Sequence, residues 1–417
     1  MGFFTTATRS WLTRSTQPFT FTCNFDQALD YQSIHSLGLY VHIPFCKQIC
    51  SFCPYCKQLY NCETAGYYVD ALLREVHLVC AKQSGPKDVT SLYFGGGSPA
   101  LLADDLGRII STLQAYFNIT DGIGVELNPE NVTVQTLQKL KTVGVTRISI
   151  GVQSFNEQTL QKLGRRHFHC ADVFQAIQSV SFDTVAMDFI FALEGQSFAS
   201  VKLDIDTAFA NGANHIALYP LIDFAFAPSG IKQMAKLQMK ALLSEITAYC
   251  ASRGYIRDSI WTFGKPGVAK YSSMTRDHFL GFGCSATTLL TGQFKINTFS
   301  LKAYADRINS GRLPTALTIH FTRRQRMLYW LFWRFYTTLV QPQDFENAFG
   351  VSLGNLFGVE LWLGRLFGLL KMEGSAYRLT SRGVYYYHYL EGFYTLSYID
   401  RMWNIMRQQP FPAELTL

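Results

Sequence analysis

The stretch GLYVHIPFCKQICSFC, residues 38–53, joins a short apolar run to a close group of cysteines. The run GLYVHI has the length and composition of a β-strand. The loop after it places Cys46, Cys50 and Cys53 in a Cys-x3-Cys-x2-Cys spacing. Cysteines clustered in this way indicate metal binding in a reducing compartment more often than disulfide bridges. We therefore predict a metal site directly after the first strand of the fold, and a cytoplasmic protein.

The pattern of a strand followed by a longer segment recurs along the chain. Five more apolar runs of strand length follow, each with room for a helix after it: VTSLYF, GIGVEL, VTRISI, TVAMDFI and NHIALY. Alternating strands and helices predict a parallel sheet, and runs that are apolar throughout predict burial on both faces. The expected fold class is therefore α/β, with a partial (β/α)6 barrel of the TIM type. Chemistry in such barrels lies at the carboxyl ends of the strands.

Composition divides the chain into three parts. Residues 38–297 contain the six strand–helix units and a distinctive loop. Residues 298–417 are richer in helical and aromatic patterns, which predicts a smaller, mostly helical C-terminal domain of winged-helix type. Residues 1–37 show no clear periodicity, so we interpret them as an N-terminal arm that is either flexible or a flap over the barrel. A chain of 417 residues is long enough for one large unit and one small one.

Charge and hydropathy limit the classes of partner. The formal net charge is +7, but no basic block is longer than a pair, so we expect no nucleic-acid partner. No apolar run approaches the ~20 residues that a membrane-spanning helix needs, so we expect no membrane span. The positive balance suits an anionic small-molecule substrate, because the field of the protein attracts it.

The spacing of the cysteines suits an iron–sulfur cluster. Thiolates are the usual ligands of such clusters, and three from one short loop can hold three irons of a [4Fe-4S] cubane. The fourth iron then stays open to a small molecule, such as the amine and carboxylate of S-adenosylmethionine (SAM). A structural zinc site is an alternative, since zinc closes its shell with four protein ligands. Cys56, in a CxxC with Cys53, could supply that fourth thiolate, or it could be a free buried thiol or lie near a substrate.

The motifs on and after the cysteine loop resemble, in order, those of the radical SAM superfamily. The specific resemblance is to its branch of oxygen-independent coproporphyrinogen III oxidases and haem chaperones, for which the opening HIPFC is characteristic. The matching motifs cover roughly residues 38–290 and are YVHIPFCKQICSFC, YFGGGSP, VELNPE, RISIGVQSFN, LGRRH and MDFIFALEGQS. The resemblance implies a radical SAM barrel in which Cys46, Cys50 and Cys53 hold a [4Fe-4S] cluster that cleaves SAM reductively to a 5′-deoxyadenosyl radical. The C-terminal part resembles this branch more loosely, through GFGCSA and LTSRG.

Several positions in these motifs have a physical reason to bind SAM. Glycines in GGGSP let a ligand approach the backbone, and Ser98 can cap the helix after it. A buried acid such as Glu126 needs a cationic partner, for which the amine of SAM is suitable. The guanidinium of Arg165 can form two hydrogen bonds to a carboxylate. The resemblance implies cofactor-binding roles for nine residues: Tyr40, Phe52, Gly96, Gly97, Ser98, Glu126, Gln153, Arg165 and Asp188.

Structural roles are the alternatives at these positions. Glu126 could instead form an ion pair with Arg147. Arg166 could take the place of its neighbour Arg165, and Asp188 could cap a turn rather than bind ribose hydroxyls. The two aromatic positions could be ordinary core.

The resemblance leaves the reaction open. Coproporphyrinogen III oxidases carry a further cysteine two residues after the third ligand, where this chain has Tyr55, and an aromatic there is typical of the haem chaperones. Our leading hypothesis is an enzyme that abstracts hydrogen from a ring-bearing, tetrapyrrole-like substrate, with an electron donor such as flavodoxin or ferredoxin. The alternatives are a methyltransferase or cyclopropanase of the same branch, which would bind two SAM molecules rather than one, and a haem-binding chaperone.

A second block, SIWTFGKPGVAKYSSMTRDHFLGFGCSATT, follows the sixth strand and is rich in aromatic and basic residues. We predict a substrate-facing loop, with an ordered surface loop as the alternative. Three cations could receive acidic groups and three aromatic rings could stack on a flat ring: Lys265, Lys270 and Arg276, and Trp261, Phe263 and Tyr271.

Overall fold

The computed structural model describes residues 3–23, 29–268 and 277–417 of the chain. The N-terminal part contains helix α1 (Phe3–Thr13) and strand β1 (Thr20–Thr22). The elements of the central part are, in chain order, β2 (Gly38–Ile43), β3 (Phe45–Cys46), β4 (Gln58–Leu59), α2 (Cys62–Cys80), β5 (Lys87–Val89), β6 (Leu92–Gly96), α3 (Ala103–Gln114), β7 (Phe117–Ile119), β8 (Ile123–Leu127), α4 (Val134–Thr142), β9 (Val145–Gln153), α5 (Glu157–Lys162), α6 (Cys170–Ser179), β10 (Thr184–Phe191), α7 (Phe198–Ala210), β11 (His215–Pro220), α8 (Lys236–Ser252), β12 (Ile256–Arg257), β13 (Thr262–Gly264), β14 (Phe279–Phe282), β15 (Thr287–Leu289) and β16 (Gln293–Asn297).

The C-terminal part combines helices with short strands. Its elements are α9 (Leu301–Asn309), β17 (Thr315–His320), α10 (Arg323–Tyr336), β18 (Leu339–Val340), α11 (Pro342–Phe349), α12 (Leu353–Leu366), β19 (Leu370–Glu373), β20 (Ala376–Leu379), α13 (Ser381–Tyr394), a π-helical turn (Thr395–Ile399), α14 (Asp400–Gln408) and β21 (Glu414–Thr416). Strand β18 follows α10, and β19 and β20 follow α11 and α12, which is the chain order of a winged helix. The three strands form one sheet in the order β18–β20–β19. In the described part of the chain, no helix is long and apolar enough to cross a bilayer.

Six parallel strands form the centre of one large sheet. They lie side by side in the order β2, β6, β8, β9, β10 and β11, which is also their order along the chain. Among the described residues the sheet does not close on itself, because β11 pairs next with antiparallel β13 and β2 pairs with parallel β14. The expected α/β fold with a partial barrel is confirmed.

The strands are buried because helices cover the sheet. Almost every residue of β10 is buried, as its uniformly apolar sequence TVAMDFIF predicts. The covering helices are amphipathic: in α3 the buried residues Leu106, Ile109, Ile110 and Leu113 recur at helical spacing. Helix α4 begins where Thr133 accepts a hydrogen bond from the backbone N–H of Thr136. Because the six strands are parallel, their carboxyl ends lie at the same edge of the sheet.

The sheet continues beyond the six units and includes both ends of the chain. Strands β14 to β17 extend it, and β1 pairs with both β17 and β21. The expected boundary after residue 297 falls between two paired strands, since Asn297 lies opposite Thr315. In the arm, Arg9 Nη1 donates to the carbonyl oxygen of Leu417 over 3.1 Å. Residues 3–23 of the arm are thus packed against the C-terminal part, whereas Tyr31 and Leu37 contact the barrel.

Candidate active site at the carboxyl ends of the strands

The cysteine loop lies at the end of β2 and carries free thiols. Cys50 is buried, whereas Cys46 and Cys53 are partly exposed. Lys57 Nζ donates to the carbonyl oxygen of Cys50 over 2.8 Å and also to that of Cys53, which folds the loop back on itself. Burial, followed by the neighbouring sulfurs of Cys53 and Cys50, raises the pKa of Cys46 to about 12. The thiol of Cys46 therefore releases its proton to a metal more readily than to water.

The loop fits a cluster better than a single zinc ion. Zinc–sulfur bonds of ~2.3 Å would bring the sulfurs of a zinc site within about 4 Å of one another. In the described parts of the chain, one group of three metal-ligating side chains has its ligand atoms within 4.8 Å of one another: His42, Cys56 and Cys284. The three loop cysteines do not form such a group. The Sγ atom of Cys56 donates instead to the carbonyl oxygen of Phe299 over 3.2 Å. Cys56 thus points away from the position of a fourth ligand.

The glycine-rich segment after β6 packs directly on this loop. The backbone N–H of Gly97 donates to the carbonyl oxygen of Ile43 over 2.7 Å. A Cβ atom on Gly97 would clash with the carbonyl oxygen of Phe45, and one on Gly96, whose φ is 109°, would clash with the ring of His42. Both positions therefore require glycine.

Ser98 does not act as the predicted helix cap. Its Oγ atom donates to Asn131 Oδ1 over 2.6 Å, and its side chain makes no capping hydrogen bond to the short 3₁₀ helix Pro99–Leu102. The reason is that a 3₁₀ turn, rather than an α-helix, follows this strand, and the hydroxyl has a buried partner on the next loop. Pro99 does stand in the first turn, as the sequence predicts.

Glu126 lies at the end of β8 and is bonded to the glycine-rich segment. It accepts hydrogen bonds from Tyr93 Oη at 2.6 Å and from the backbone N–H of Gly96 at 3.1 Å. Burial is the main cause that raises the pKa of Glu126 to about 7, and the charge of Asp188 adds to it. The alternative pairing is not formed, because Arg147 pairs with Asp121 at 2.9 Å. A cationic or N–H donor ligand would therefore stabilise the ionised form of Glu126.

Asp188 and Gln153 lie on the next two strands. Asp188 accepts a hydrogen bond from Ser149 Oγ at 2.8 Å, and burial raises the pKa of this carboxyl to about 6. Gln153 ends β9 with a left-handed backbone, φ 69°, where the register of the β9–β10 pair shifts. Non-glycine residues rarely adopt this conformation, and such outliers cluster at functional sites.

Arg165 joins the end of β9 to the cysteine loop. Its Nη2 atom donates to the carbonyl oxygen of Gly151 over 2.5 Å, and its Nη1 atom lies 3.5 Å from Cys50 Sγ. A Cβ atom on Gly151 would lie 3.0 Å from Gln153 Nε2 and 3.5 Å from Arg165 Nη2, so these two side chains converge above Gly151. The neighbouring Arg166 is exposed. Arg165, and not Arg166, therefore supplies positive charge beside the cysteines.

The two aromatic positions have different surroundings. Tyr40 is half-buried on β2, where its ring stacks on Tyr93 with centroids 6.2 Å apart and its hydroxyl lies 3.0 Å from His42 Nδ1. Phe52 packs against a small apolar cluster of Leu163, Ile190, Leu193 and Leu221. Tyr40 thus lies among the polar groups of the site, and Phe52 fixes the cysteine loop on the barrel.

The predicted substrate loop contains sheet strands. Phe263 lies in β13, opposite Ile216, and Trp261 lies beside Leu218 near the end of β11; both side chains are buried in the core. Lys265 follows the other end of β13, away from this edge. Three of the predicted contacts, Lys270, Tyr271 and Arg276, lie outside the described residues.

Sequence analysis missed a set of groups that the C-terminal part brings to Trp261. Its Nε1 atom donates to Glu391 Oε2 over 3.3 Å, and its ring centroid is 4.3 Å from that of His388. Burial raises the pKa of Glu391 to about 7. An acid within the aromatic run YYYHYLEGFY was the available signal, but the sequence does not say which element it meets.

Comparisons with known proteins agree with this geometry. The model of the radical SAM superfamily matches residues 40–208. The heme chaperone HemW of Bacillus subtilis is 28% identical over 362 residues, which cover 82% of this chain and 95% of that protein. The oxygen-independent coproporphyrinogen III oxidase of Pseudomonas aeruginosa is 24% identical over 390 residues, covering 84% of this chain and 83% of that protein.

A solved structure shares the fold. Coproporphyrinogen III oxidase (HemN) from Escherichia coli aligns with a TM-score of 0.73 and 21% identity, covering 88% of this chain and 93% of that one. This chain therefore carries a radical SAM domain, whose superfamily uses a [4Fe-4S] cluster and SAM, and it is related to the haem chaperones and the oxygen-independent coproporphyrinogen III oxidases.

Proposed function

We propose that this protein is a radical SAM enzyme of the cytoplasm that abstracts hydrogen from a ring-bearing, tetrapyrrole-like substrate. The observation that carries the proposal is the convergence of Glu126, Gln153 and Arg165 beside a loop with three free cysteines. Cys46, Cys50 and Cys53 would hold a [4Fe-4S] cluster, which would supply the electron for the reductive cleavage of SAM on which hydrogen abstraction depends. A flavodoxin or ferredoxin would deliver that electron, and the net charge of +7 suits an acidic donor.

Each polar group at the strand ends has a role in holding SAM. Glu126 accepts hydrogen bonds from the amine of the methionine part, since it already accepts one from Gly96 N–H. Arg165 places a guanidinium fork where a carboxylate can bind next to Cys50. Asp188, on the strand beyond Gln153, can accept hydrogen bonds from ribose hydroxyls. The glycine-rich segment provides room for the ligand to approach the backbone.

The C-terminal part supports a substrate with a flat ring. Helix α14 covers the cysteine loop, because Arg407 Nη2 donates to the carbonyl oxygen of Pro54 and Trp403 lies 6.0 Å from the ring of Tyr55. Such a cover excludes water from a radical reaction. Trp261 is buried between Phe191 and His388, and Glu391, which accepts a hydrogen bond from it, would be an acceptor for N–H groups of the ring.

The test is product analysis under anaerobic conditions. Reconstituted protein, reductant and SAM are incubated with and without coproporphyrinogen III, and 5′-deoxyadenosine and the mass of the tetrapyrrole are followed. The proposal predicts that the tetrapyrrole accelerates 5′-deoxyadenosine formation and changes its own mass. A methylated product would indicate the two-SAM alternative, and no 5′-deoxyadenosine with any tetrapyrrole would contradict the proposal.

A haem-binding chaperone is the second candidate. It is favoured by Tyr55, which occupies the position of a further cysteine in the coproporphyrinogen III oxidases and lies against Trp403, and by the coverage of 95% of the B. subtilis haem chaperone. Haem that stays bound through purification, together with SAM cleavage that tetrapyrroles do not accelerate, would support this role instead.

A further inference from the structure

A pair of buried thiols lies beneath the cysteine loop and has no part in the chemistry above. Cys56 and Cys284 are 5% and 0% exposed, and their sulfurs lie within 4.8 Å of each other. Cys56 belongs to the segment that carries the cluster ligands, three residues after Cys53. Cys284 follows β14, the strand that pairs with β2. Two distant segments of the chain thus place their thiols side by side.

His42 completes a group whose ligand atoms lie within 4.8 Å of one another, but it is not free to bind a metal. Its Nε2 atom lies 3.0 Å from the carbonyl oxygen of Cys56, which can only accept, so Nε2 carries the proton. Its Nδ1 atom then accepts from the hydroxyl of Tyr40 at 3.0 Å. Because Gly96 packs on the ring, His42 cannot turn away from these partners. Two sulfurs remain, which are too few to fill the four-ligand shell of a structural zinc site but enough for a disulfide.

The surroundings make Cys56 the more reactive thiol. The hydrogen bond from Cys284 is the largest cause that lowers the pKa of Cys56, and the positive charge of Arg407 acts in the same direction against burial. Burial and the neighbouring sulfur of Cys56 raise the pKa of Cys284. The thiolate of Cys56 therefore forms first, with a thiol partner in contact.

We propose that Cys56 and Cys284 are a modification site at which hydrogen peroxide oxidises the two thiols to an intramolecular disulfide. The Cys56 sulfur attacks one peroxide oxygen, the O–O bond breaks, and a sulfenic acid and one water form. The Cys284 sulfur then attacks the sulfenic sulfur, the S–S bond forms and a second water leaves. The two thiols lose two electrons in total, the peroxide gains two, and the two thiol protons end in the two waters.

The bridge would tie the cysteine loop to the sheet. It would join the segment after Cys53 to the end of β14, and so hold Cys46, Cys50 and Cys53 near their places while no cluster is bound. It would also prevent Cys56 from forming disulfides with the cluster ligands. This consequence is independent of the substrate and of the reaction that the protein catalyses.

The experiment is disulfide mapping of the full chain. Anaerobically purified protein is treated with stoichiometric hydrogen peroxide, alkylated and digested without reduction, and the linked residues are located by tandem mass spectrometry. The expected result is a Cys56–Cys284 link as the main product, with the loss of two hydrogens. Cys284→Ser should abolish that link, and Cys250→Ser, at an equally buried thiol, should leave it unchanged.

Three results would overturn the proposal. Links from Cys56 to Cys50 or Cys53 as the main product would show that the pair is not the preferred one. Two thiols that stay fully alkylatable at excess peroxide would show that the pair is inert. One zinc ion for each wild-type chain, lost in Cys284→Ser, would show a metal site instead. Since the mapping is done on the wild-type chain, the result stands even where a variant fails to fold.

Discussion

The two sides of the candidate site are built in different ways. The proposed cofactor side consists of the cysteine loop with Glu126, Gln153, Arg165 and Asp188, which lie in or after strands of the parallel sheet. The proposed substrate side consists of Trp261, His388 and Glu391, and Trp261 bonds an acid 130 residues away along the chain. Strand pairing fixes the first set, whereas packing between distant elements fixes the second. Substitutions should therefore separate cofactor binding from substrate binding.

The largest effect is expected at the cysteine loop. Cys50→Ser removes a thiolate that a cubane needs and leaves Arg165 without its anionic neighbour, so the protein should lose its cluster and all SAM cleavage. Iron and sulfide content after anaerobic reconstitution measures this. Cys62→Ser, at an exposed cysteine, is the control and should keep its iron and sulfide. A fully loaded Cys50→Ser protein would contradict the assignment.

Arg165 and Arg166 provide a matched pair on the cofactor side. Arg165→Ala removes the contacts to Gly151 and Cys50, and loss of such charge-assisted bonds should weaken SAM binding about 10- to 100-fold. Arg165→Lys should recover little, since it lacks the planar fork. Equilibrium binding of SAM to the reconstituted protein is the measurement, and Arg166→Ala should resemble the wild type. Equal losses in the two alanine variants would contradict the role of Arg165.

Glu126 should give SAM binding a dependence on pH. Burial raises the pKa of Glu126 to about 7, so the carboxylate that accepts hydrogen bonds from the SAM amine is present above that pH and is lost below it. Affinity for SAM should therefore rise as pH increases through about 7. Glu126→Gln should weaken binding about tenfold at pH 8 and flatten the profile. A glutamine variant with the wild-type slope would assign the dependence to another group.

A smaller effect is expected on the substrate side. Glu391→Gln keeps the shape of the side chain but removes the charge beside Trp261, so tetrapyrrole affinity should fall about threefold while SAM affinity stays unchanged. Titration with haem, followed by absorbance, measures the tetrapyrrole affinity. Glu414→Gln, at an exposed position, is the control. If both ligands weaken together, the two sides are not separable.

The difference between strand pairing and packing of distant elements also explains which parts of the candidate site the sequence could predict. Glu126 and Asp188 interrupt apolar strands near their ends, and the rule that parallel strands share a carboxyl edge was sufficient to bring them together. Cys56 could not be placed, because a CxxC spacing suits a ligand and a free thiol equally, and only the packing against Cys284 and Phe299 decides. Ser98 was predicted as a cap because spacing does not reveal that a 3₁₀ turn replaces the helix.

The region after the sixth strand was predicted least well. Its aromatic and basic composition indicated a loop, but parts of it form β13, β14 and the start of β15, because these strands continue a sheet whose edge the sequence does not mark. Phe263 is core for the same reason. Trp261 is also core, and His388 and Glu391 meet it through contacts that no local pattern encodes.

The most direct test is electron paramagnetic resonance of anaerobically reconstituted, reduced protein with and without SAM. Three thiolates leave one iron open to the amine and carboxylate of SAM, so the spectrum should show a reduced [4Fe-4S] cluster whose signal changes when SAM is added. A reduced-cluster signal that SAM leaves unchanged, or a protein that takes up zinc and no iron, would contradict the account.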